Sequence, residues 1–275
     1  MNRILRIDNL YYMNYVNNSL PGNLLQMAPE NLWHSPPKNL VLSKDDVHVW
    51  RADLDLPTWR LQPLVQTLSS DEQVRADRFY FEKDRKYFIA GRGLLRTILG
   101  HYLDLEPSQL QFSYSSRGKP TLVNTNTPEA LCFNLSHSNG LALYAVTRSR
   151  SIGIDLEHVR PMPDAEKLAK RFFSPHEYAV ISTLLPEQKQ EAFFNAWTRK
   201  EAYLKATGDG LAGLEQVEVS LTPGETAALL SIQGDRQAAS RWSMYQLTPA
   251  LNYIAALAVE GHDWNLECFD IAENY

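Results

Sequence analysis

Ile152-Gly153-Ile154-Asp155-Leu156-Glu157-His158-Val159 alternates as a strand does, and the chain on either side of it repeats one order of elements. On a strand, residues two apart share a face, so Asp155 and Glu157 project together while Ile154 and Leu156 turn to a core. Helical spacing follows at Ala165–Phe173, Pro175–Leu184 and Pro186–Ala206, with Gly208 a natural stop for the last. Strands are then expected at Val217–Leu221, Trp242–Leu247, Tyr253–Val259 and Trp264–Phe269. Upstream, a strand at Val47–Leu54 precedes a helix capped by Ser70, with Asp71 and Glu72 in its first turn, and a second helix over Asp84–Leu103. Pro107 ends that helical part, and strands follow near Gln111–Ser115, Leu131–Leu135 and Leu141–Thr147. Strand, helices, strands thus occurs twice, dividing near residue 150, with no residue-level repeat. The fold class is α+β. Residues 1–45 read as an irregular, Asn- and Pro-rich leader, 46–150 as an N-terminal half and 151–275 as a C-terminal half carrying the acidic strand.

Composition narrows the function. With 275 residues, 44% of them apolar, the chain can build a real core. A formal charge of −5 argues against nucleic-acid binding through overall charge. Arg75 to Arg96 is a local exception, with seven Lys or Arg against three acids. Cys132 and Cys268 are far apart and lack CxxC spacing, which fits a reducing cytoplasm. No apolar stretch approaches the roughly 20 residues that span a bilayer, so no membrane role is expected.

Four short stretches could carry chemistry, each with an ordinary alternative. Asp155 and Glu157, about 7 Å apart along a strand, could share a hard cation such as Mg²⁺, or could form a polar outer face. In Trp197-Thr198-Arg199-Lys200-Glu201-Ala202-Tyr203-Leu204-Lys205, the residues Trp197, Glu201 and Lys205 stack one helical turn apart; the alternative is an exposed Glu-Lys pair. Asn134-Leu135-Ser136-His137-Ser138-Asn139-Gly140 could offer donors to a phosphate oxygen or be a structural turn. Ser136 and His137 are adjacent and would point to opposite sides, which weakens a nucleophile-and-base reading. Arg117-Gly118-Lys119-Pro120 makes a turn with a cation at its tip, without the pattern of a P-loop.

Taken in order, these stretches, with Phe172-Phe173-Ser174 and the trailing Gly208-Asp209-Gly210-Leu211, resemble the signature of the Sfp-type 4′-phosphopantetheinyl transferases over about residues 46 to 260. The resemblance implies two similar α+β halves, a pseudo-dimer within one chain, with coenzyme A (CoA) in the cleft between them. It implies transfer of the 4′-phosphopantetheine arm of CoA to a serine of an apo acyl or peptidyl carrier protein, releasing 3′,5′-ADP. The related holo-acyl-carrier-protein synthases have chains about half as long that trimerise, so length places this chain with the monomers. Fatty-acid, polyketide and nonribosomal-peptide synthases all use such carriers.

By the same resemblance Asp155, Glu157 and Glu201 are the ligands of Mg²⁺, with Mn²⁺ the alternative ion. Ser136, His137 and Lys205 contact the pyrophosphate, Arg117, Gly118 and Lys119 hold the nucleotide end, and Arg75 meets the 3′-phosphate, with Arg92 a weaker candidate. Glu201 is the catalytic base, a metal-bound water being the alternative, and Lys205 and His137 offset charge. Carrier docking is expected along His158–Phe173, where Lys167, Lys170 and Arg171 flank Leu168 and Phe172. Two rivals are a CoA- or nucleotide-binding protein without turnover and a metal-dependent phosphohydrolase. The carboxylate set argues against the first. The chain departs from the family pattern at Glu72, where some members carry a cation, and in its leader.

Overall fold

The alternating stretch forms strand β7 (Ile152–His158) in a computed structural model that describes residues 33–123 and 130–271. Its apolar face, Ile152, Ile154 and Leu156, is buried against a second sheet, while Gly153, Asp155 and Glu157 face the other way, toward a helix. β7 pairs antiparallel with β11 (Tyr253–Glu260), which pairs antiparallel with β10 (Trp242–Leu247). The first half is wired identically: β2 (Asp46–Asp53) pairs antiparallel with β6 (Leu141–Arg148), which pairs antiparallel with β5 (Leu131–Ser138). Val47, Val49, Leu143 and Ala145 of one sheet interleave with Ile152, Ile154, Ala255, Leu257 and Val259 of the other in a shared apolar layer. The outer faces carry the helices, giving a helix–sheet–sheet–helix stack.

The halves match in detail. Each has a long helix of 22 residues, α3 (Glu82–Leu103) and α6 (Pro186–Thr207). Two shorter helices precede each one: α1 (Thr58–Thr67) and α2 (Ser70–Ala76), then α4 (Ala165–Phe172) and α5 (Pro175–Thr183). A small hairpin follows each, β3–β4 (Phe112–Tyr114, Pro120–Leu122) and β8–β9 (Val217–Val219, Leu229–Ile232).

A repeat at residue level also exists, which the sequence alone does not reveal. Glu72 and Glu177 close the capping boxes of α2 and α5, with Ser69 and Ser174 as the caps. Both carboxylates are buried on a cation at the fifteenth position of the long helix, Arg96 (2.6 Å) and Lys200 (2.6 Å). Both cations also donate to a carbonyl beyond the helix, Arg96 to Leu110 (2.9 Å) and Lys200 to Leu214 (2.7 Å).

The structure adjusts several expected bounds. Ser69, not Ser70, is the cap of α2, and α1 escapes the sequence reading because Pro57 and Pro63 look like breakers. β5 runs on to Ser138, three residues past its expected end. The short strands β4 and β9 and the four-residue helix α7 (Arg236–Ala239) are likewise unforeseen. The last strand, β12 (Asn265–Asp270), crosses back and pairs parallel with β2 in the first sheet. From residue 33 on the leader is structured: β1 (Trp33–His34) pairs with Cys268 and Phe269, the Arg51 guanidinium lies 4.7 Å over the Trp33 ring, and Leu42 is buried. Tyr11, Tyr12 and Tyr15, the aromatic residues of the leader's first part, lie outside the described residues.

Gly153 decides how closely α6 lies on β7. A Cβ there would sit 2.0 Å from the Ala202 carbonyl oxygen and 2.4 Å from the Ala206 amide nitrogen, both helix backbone that cannot step aside. Gly153→Ala should therefore lift α6 off the strand, costing about 3 kcal/mol by overpacking. Thermal unfolding by circular dichroism checks this, and activity should fall with it, because Glu201 and Lys205 ride on α6.

Candidate active site

Where the two sheets meet, β5 and β7 run side by side and in parallel, and side chains replace the missing backbone ladder. The amides of Ile154, Leu156 and His158 donate to Asn134 Oδ1 (2.9 Å), Ser136 Oγ (3.2 Å) and Ser138 Oγ (3.0 Å). The two hydroxyls in turn donate to carboxylates of the facing strand, Ser136 to Asp155 Oδ1 (3.0 Å) and Ser138 to Glu157 Oε2 (3.2 Å). From α6, Lys205 Nζ donates to Asp155 Oδ1 (2.6 Å) and to Ser136 Oγ (2.9 Å). Residues of both halves and of the long helix therefore meet at Asp155.

Lys205 also lines a cleft of about 230 Å³ between the halves. Its walls are Arg117 to Pro120 at the tip of the β3–β4 hairpin, Asn134 and Leu135 of β5, and Glu201, Leu204, Gly208 and Gly210 in and beyond α6. At the hairpin tip the Gly118 amide bonds to the Ser115 carbonyl (2.9 Å), and Gly118 takes the left-handed conformation (φ 83°) that this turn requires. Lys119 Nζ reaches across to the Ala206 carbonyl (2.6 Å), a cation on the negative end of α6. Burial holds the Lys119 ammonium below its ordinary value. Arg117 stays exposed, 3.9 Å from Asp209.

The electrostatics are strained in one direction. Burial first, and then the neighbouring Asp155 carboxylate, push Glu157 and Glu201 up to about 7. Crowding by surrounding protein and the nearby Lys205 ammonium hold the His137 imidazole below its ordinary value, although the residue keeps an exposed edge. Asp155 Oδ2 is buried without a hydrogen-bond partner.

The expected residues do not all converge. Asp155, Glu157 and Glu201 feel one another's charge, yet among the described residues no three His, Cys, Asp or Glu side chains form a ready-made metal-holding group. Lys205 already engages Asp155 (2.6 Å). The donor set nevertheless suits a hard cation: three carboxyls, one with an unpartnered buried oxygen and two whose ionisation an ion would favour. Ser136 was expected on the pyrophosphate, but its one proton goes to Asp155 and its two lone pairs accept from Leu156 and Lys205. Arg75 is exposed, its guanidinium 5.2 Å over the Phe88 ring, and lies outside the cleft walls. Arg92 is not free for a phosphate: it is buried, bonding Glu72 (2.6 Å) and Tyr114 (3.0 Å). That bond also explains the acid at 72, which anchors α2 to α3. Asn134, Leu204 and Gly210 are cleft residues that sequence reasoning missed; all three stand inside quoted motifs without a role.

The first half holds a counterpart of this site without its chemistry. Trp50 pairs with Tyr144, the fourth residue of β6, as Asp155 pairs with Ala256, the fourth of β11. Trp50 thus occupies the place of Asp155 and Ala52 that of Glu157, while Thr97 and His101 stand on α3 where Glu201 and Lys205 stand on α6. A second cleft of about 370 Å³, lined by Thr97, His101, Asp104 and Glu106 among others, marks the spot.

A doubled α+β architecture with a cation-rimmed cleft between its halves, and a carboxylate seam beside it bridged by Lys205, defines a two-half transferase fold of the kind the motifs suggested. Residues 151–258 match the 4′-phosphopantetheinyl transferase superfamily, and residues 56–149 match the family described as 4′-phosphopantetheinyl transferase, N-terminal. The chain is 54% identical over 235 residues to the 4′-phosphopantetheinyl transferase HetI of Nostoc sp., spanning 86% of this chain and 96% of that one. It is 31% identical over 192 residues to the 4′-phosphopantetheinyl transferase psf-1 of Bacillus pumilus (70% and 79% of the two chains). With the 4′-phosphopantetheinyl transferase Sfp of Bacillus subtilis it shares 32% identity over 145 residues (53% and 62%). The chain belongs to the 4′-phosphopantetheinyl transferase superfamily. The two matched stretches divide where the two structural halves do. Among the described residues no helix is long and apolar enough to cross a membrane.

The raised carboxyls make a pH-dependent prediction. A group held at about 7 in the fold, against an ordinary 4.5, favours the fold while protonated and loses that contribution as pH rises through about 7. A divalent cation at these carboxylates offsets the loss. Millimolar Mg²⁺ should raise Tm by about 3–5 °C at pH 8 and by under about 1 °C at pH 5, read by differential scanning fluorimetry. Equal shifts at both pH values would speak against ion binding at these carboxylates.

Proposed function

We infer that this chain transfers the 4′-phosphopantetheine arm of CoA to a serine of an apo acyl or peptidyl carrier protein, releasing 3′,5′-ADP and leaving the holo-carrier. Lys205 carries the reading: from a cleft rimmed by Arg117 and Lys119 its ammonium joins Ser136 of the first half to Asp155 of the second. A pyrophosphate needs such converging cations, and the serine oxygen needs a base beside them. The chain acts as a monomer, since its own two halves already form both walls of the cleft, and its two free cysteines, Cys132 and Cys268, suit a reducing cytoplasm.

Asp155, Glu157 and Glu201 are the proposed holders of Mg²⁺, with Mn²⁺ the alternative. When bound, the ion neutralises charge on the pyrophosphate. Glu201 takes the proton of the carrier serine as its oxygen attacks the β-phosphorus of CoA. Beside a bound cation the Glu201 carboxyl stays ionised, the form that can accept that proton. Lys205 and Lys119 offset negative charge on the phosphates, and the neutral His137 ring offers a hydrogen bond. Arg117 and Gly118 hold the nucleotide end, and Arg75 waits for the 3′-phosphate outside the cleft. Ser136 serves this site through Asp155 rather than on phosphate directly.

Glu201→Gln keeps the shape but takes no proton and binds hard cations poorly, so kcat should fall below about a tenth of wild type while CoA affinity weakens less. Asp155→Ala should lose activity mainly through ion affinity and recover part of it at high Mg²⁺. Lys205→Ala should lose both CoA affinity and rate. The measurement is the mass gain of an apo-carrier incubated with CoA and Mg²⁺, followed over time. Release of free phosphopantetheine would instead indicate a hydrolase, and no change a binding protein.

Carrier docking is proposed along α4. There Arg171 lies 4.9 Å over the Phe172 ring and Lys170 5.9 Å over the Tyr178 ring, while the exposed Lys167 is bonded to Asp164 (2.7 Å). The helix thus presents cations beside apolar surface, which suits an acidic partner. Charge reversal at Lys167 and Lys170 should raise the KM for the carrier about fivefold at low salt and leave the KM for CoA unchanged. Two unchanged KM values would move docking elsewhere.

A further inference from the structure

The Ser136 and Ser138 hydroxyls perform one operation twice. Each accepts the amide that follows a carboxylate residue on β7 and donates its proton to that carboxylate: Ser136 bonds Leu156 N and Asp155, Ser138 bonds His158 N and Glu157. Asn134 supplies the third rung to Ile154 N, where the preceding residue is Gly153 and has no side chain to hold. A serine two residues further along one strand thus matches a carboxylate two residues further along the other. Lys205 strengthens the hold at Asp155, whereas at Glu157 Ser138 is the hydroxyl that donates.

We propose that Ser138 is a positioning residue: its hydroxyl fixes the Glu157 carboxylate for the divalent cation, and it does so from the opposite half of the molecule. This rests on the reading that Asp155, Glu157 and Glu201 hold that ion. A carboxylate on a strand edge has two free side-chain torsions beyond its Cβ, and an ion pays for ordering them unless the protein has done so already. Ser138 supplies that order without touching the ion or the phosphates. Its backbone bond to His158 couples the carboxylate's orientation to the register of β7 against β5. His137, which the proposed function assigns to the phosphates, lies between the two serines, so on that reading one short strand segment alternates between a group for the substrate and groups for the carboxylates.

The test uses the full chain and Mn²⁺ alone, with free ion read by electron paramagnetic resonance, and thermal unfolding alongside. Ser138→Ala should raise the Mn²⁺ dissociation constant about tenfold, the scale of one charge-assisted hydrogen bond. Ser138→Thr, which keeps the hydroxyl, should stay within about twofold of wild type. Asn134→Ala removes a rung that touches no carboxylate; it should lower Tm about as much as Ser138→Ala does, yet leave ion affinity within about twofold. A Ser138→Ala protein whose ion affinity changes no more than that of Asn134→Ala overturns the positioning role and leaves the ion reading intact. A wild-type chain that binds no Mn²⁺ overturns both. Should Ser138→Ala fail to fold, Ser138→Cys, a much weaker donor, takes its place with the same expected direction.

Discussion

An unpaired strand edge is the constraint on which this molecule is built. β7 lies at one edge of its sheet, and β5 lies at one edge of the other. Two buried edges brought together must pair or leave amides without acceptors, at a cost of about 1–3 kcal/mol each. Here they pair through the side chains of Asn134, Ser136 and Ser138 rather than through backbone. Short polar side chains keep the strands further apart than a ladder would. That spacing lets each hydroxyl use its proton on a carboxylate of the facing strand. A continuous sheet would have satisfied the same amides and left Asp155 and Glu157 with no such donors.

The doubled architecture sets where that seam can be useful. Both long helices are fixed by the same device, a capping-box glutamate buried on a cation of the helix. Buried pairs of this kind add little net stability over apolar packing, but breaking one strands a charge at a cost of several kcal/mol. Their value lies in fixing rotation. With Lys200 directed at Glu177, the next residue, Glu201, is turned toward the cleft, and Lys205 lies one turn further on. Gly153 then lets the helix backbone settle onto β7 closely enough for Lys205 to reach Asp155. Glu72 belongs to this logic too: an acid at that position cannot serve a phosphate, but it locks Arg92 and Arg96 of α3 in place.

The sequence exposes this plan unevenly. Periodicity located both long helices and most strands, because α3 and α6 bury continuous faces and end where Asp104 and Gly208 turn left-handed. The alternation at 152–158 also separated the two faces of β7 correctly. Helix α1 stayed hidden behind two prolines, and the pairing of β12 with β2 is invisible in principle, since no local pattern encodes a partner more than 200 residues away. At the site, residue types were legible and their commitments were not. The stretch Asn134–Gly140 reads either as donors to a phosphate oxygen or as a structural turn, whereas Asn134, Ser136 and Ser138, at a period of two, form a side-chain ladder. Arg92 read as a free cation, and only the fold shows that Glu72 claims it.

Comparison of the halves shows why doubling yields one site of this kind rather than two. The fold offers the same backbone positions twice, a strand under a long helix beside a cleft. In the first half Trp50 is fully buried where Asp155 would be, and Ala52 stands where Glu157 would be. A buried indole fills with apolar packing the space that the second half leaves to two carboxylates, an ammonium and a hydroxyl. Those polar groups cost stability through raised carboxyls and an unpartnered buried oxygen. One half thus contributes a packed core and the polar strand β5, and the other contributes the charges that β5 holds in place. The strain is confined to the side of the seam where chemistry requires it, and the rest of the pseudo-dimer is free to be stable.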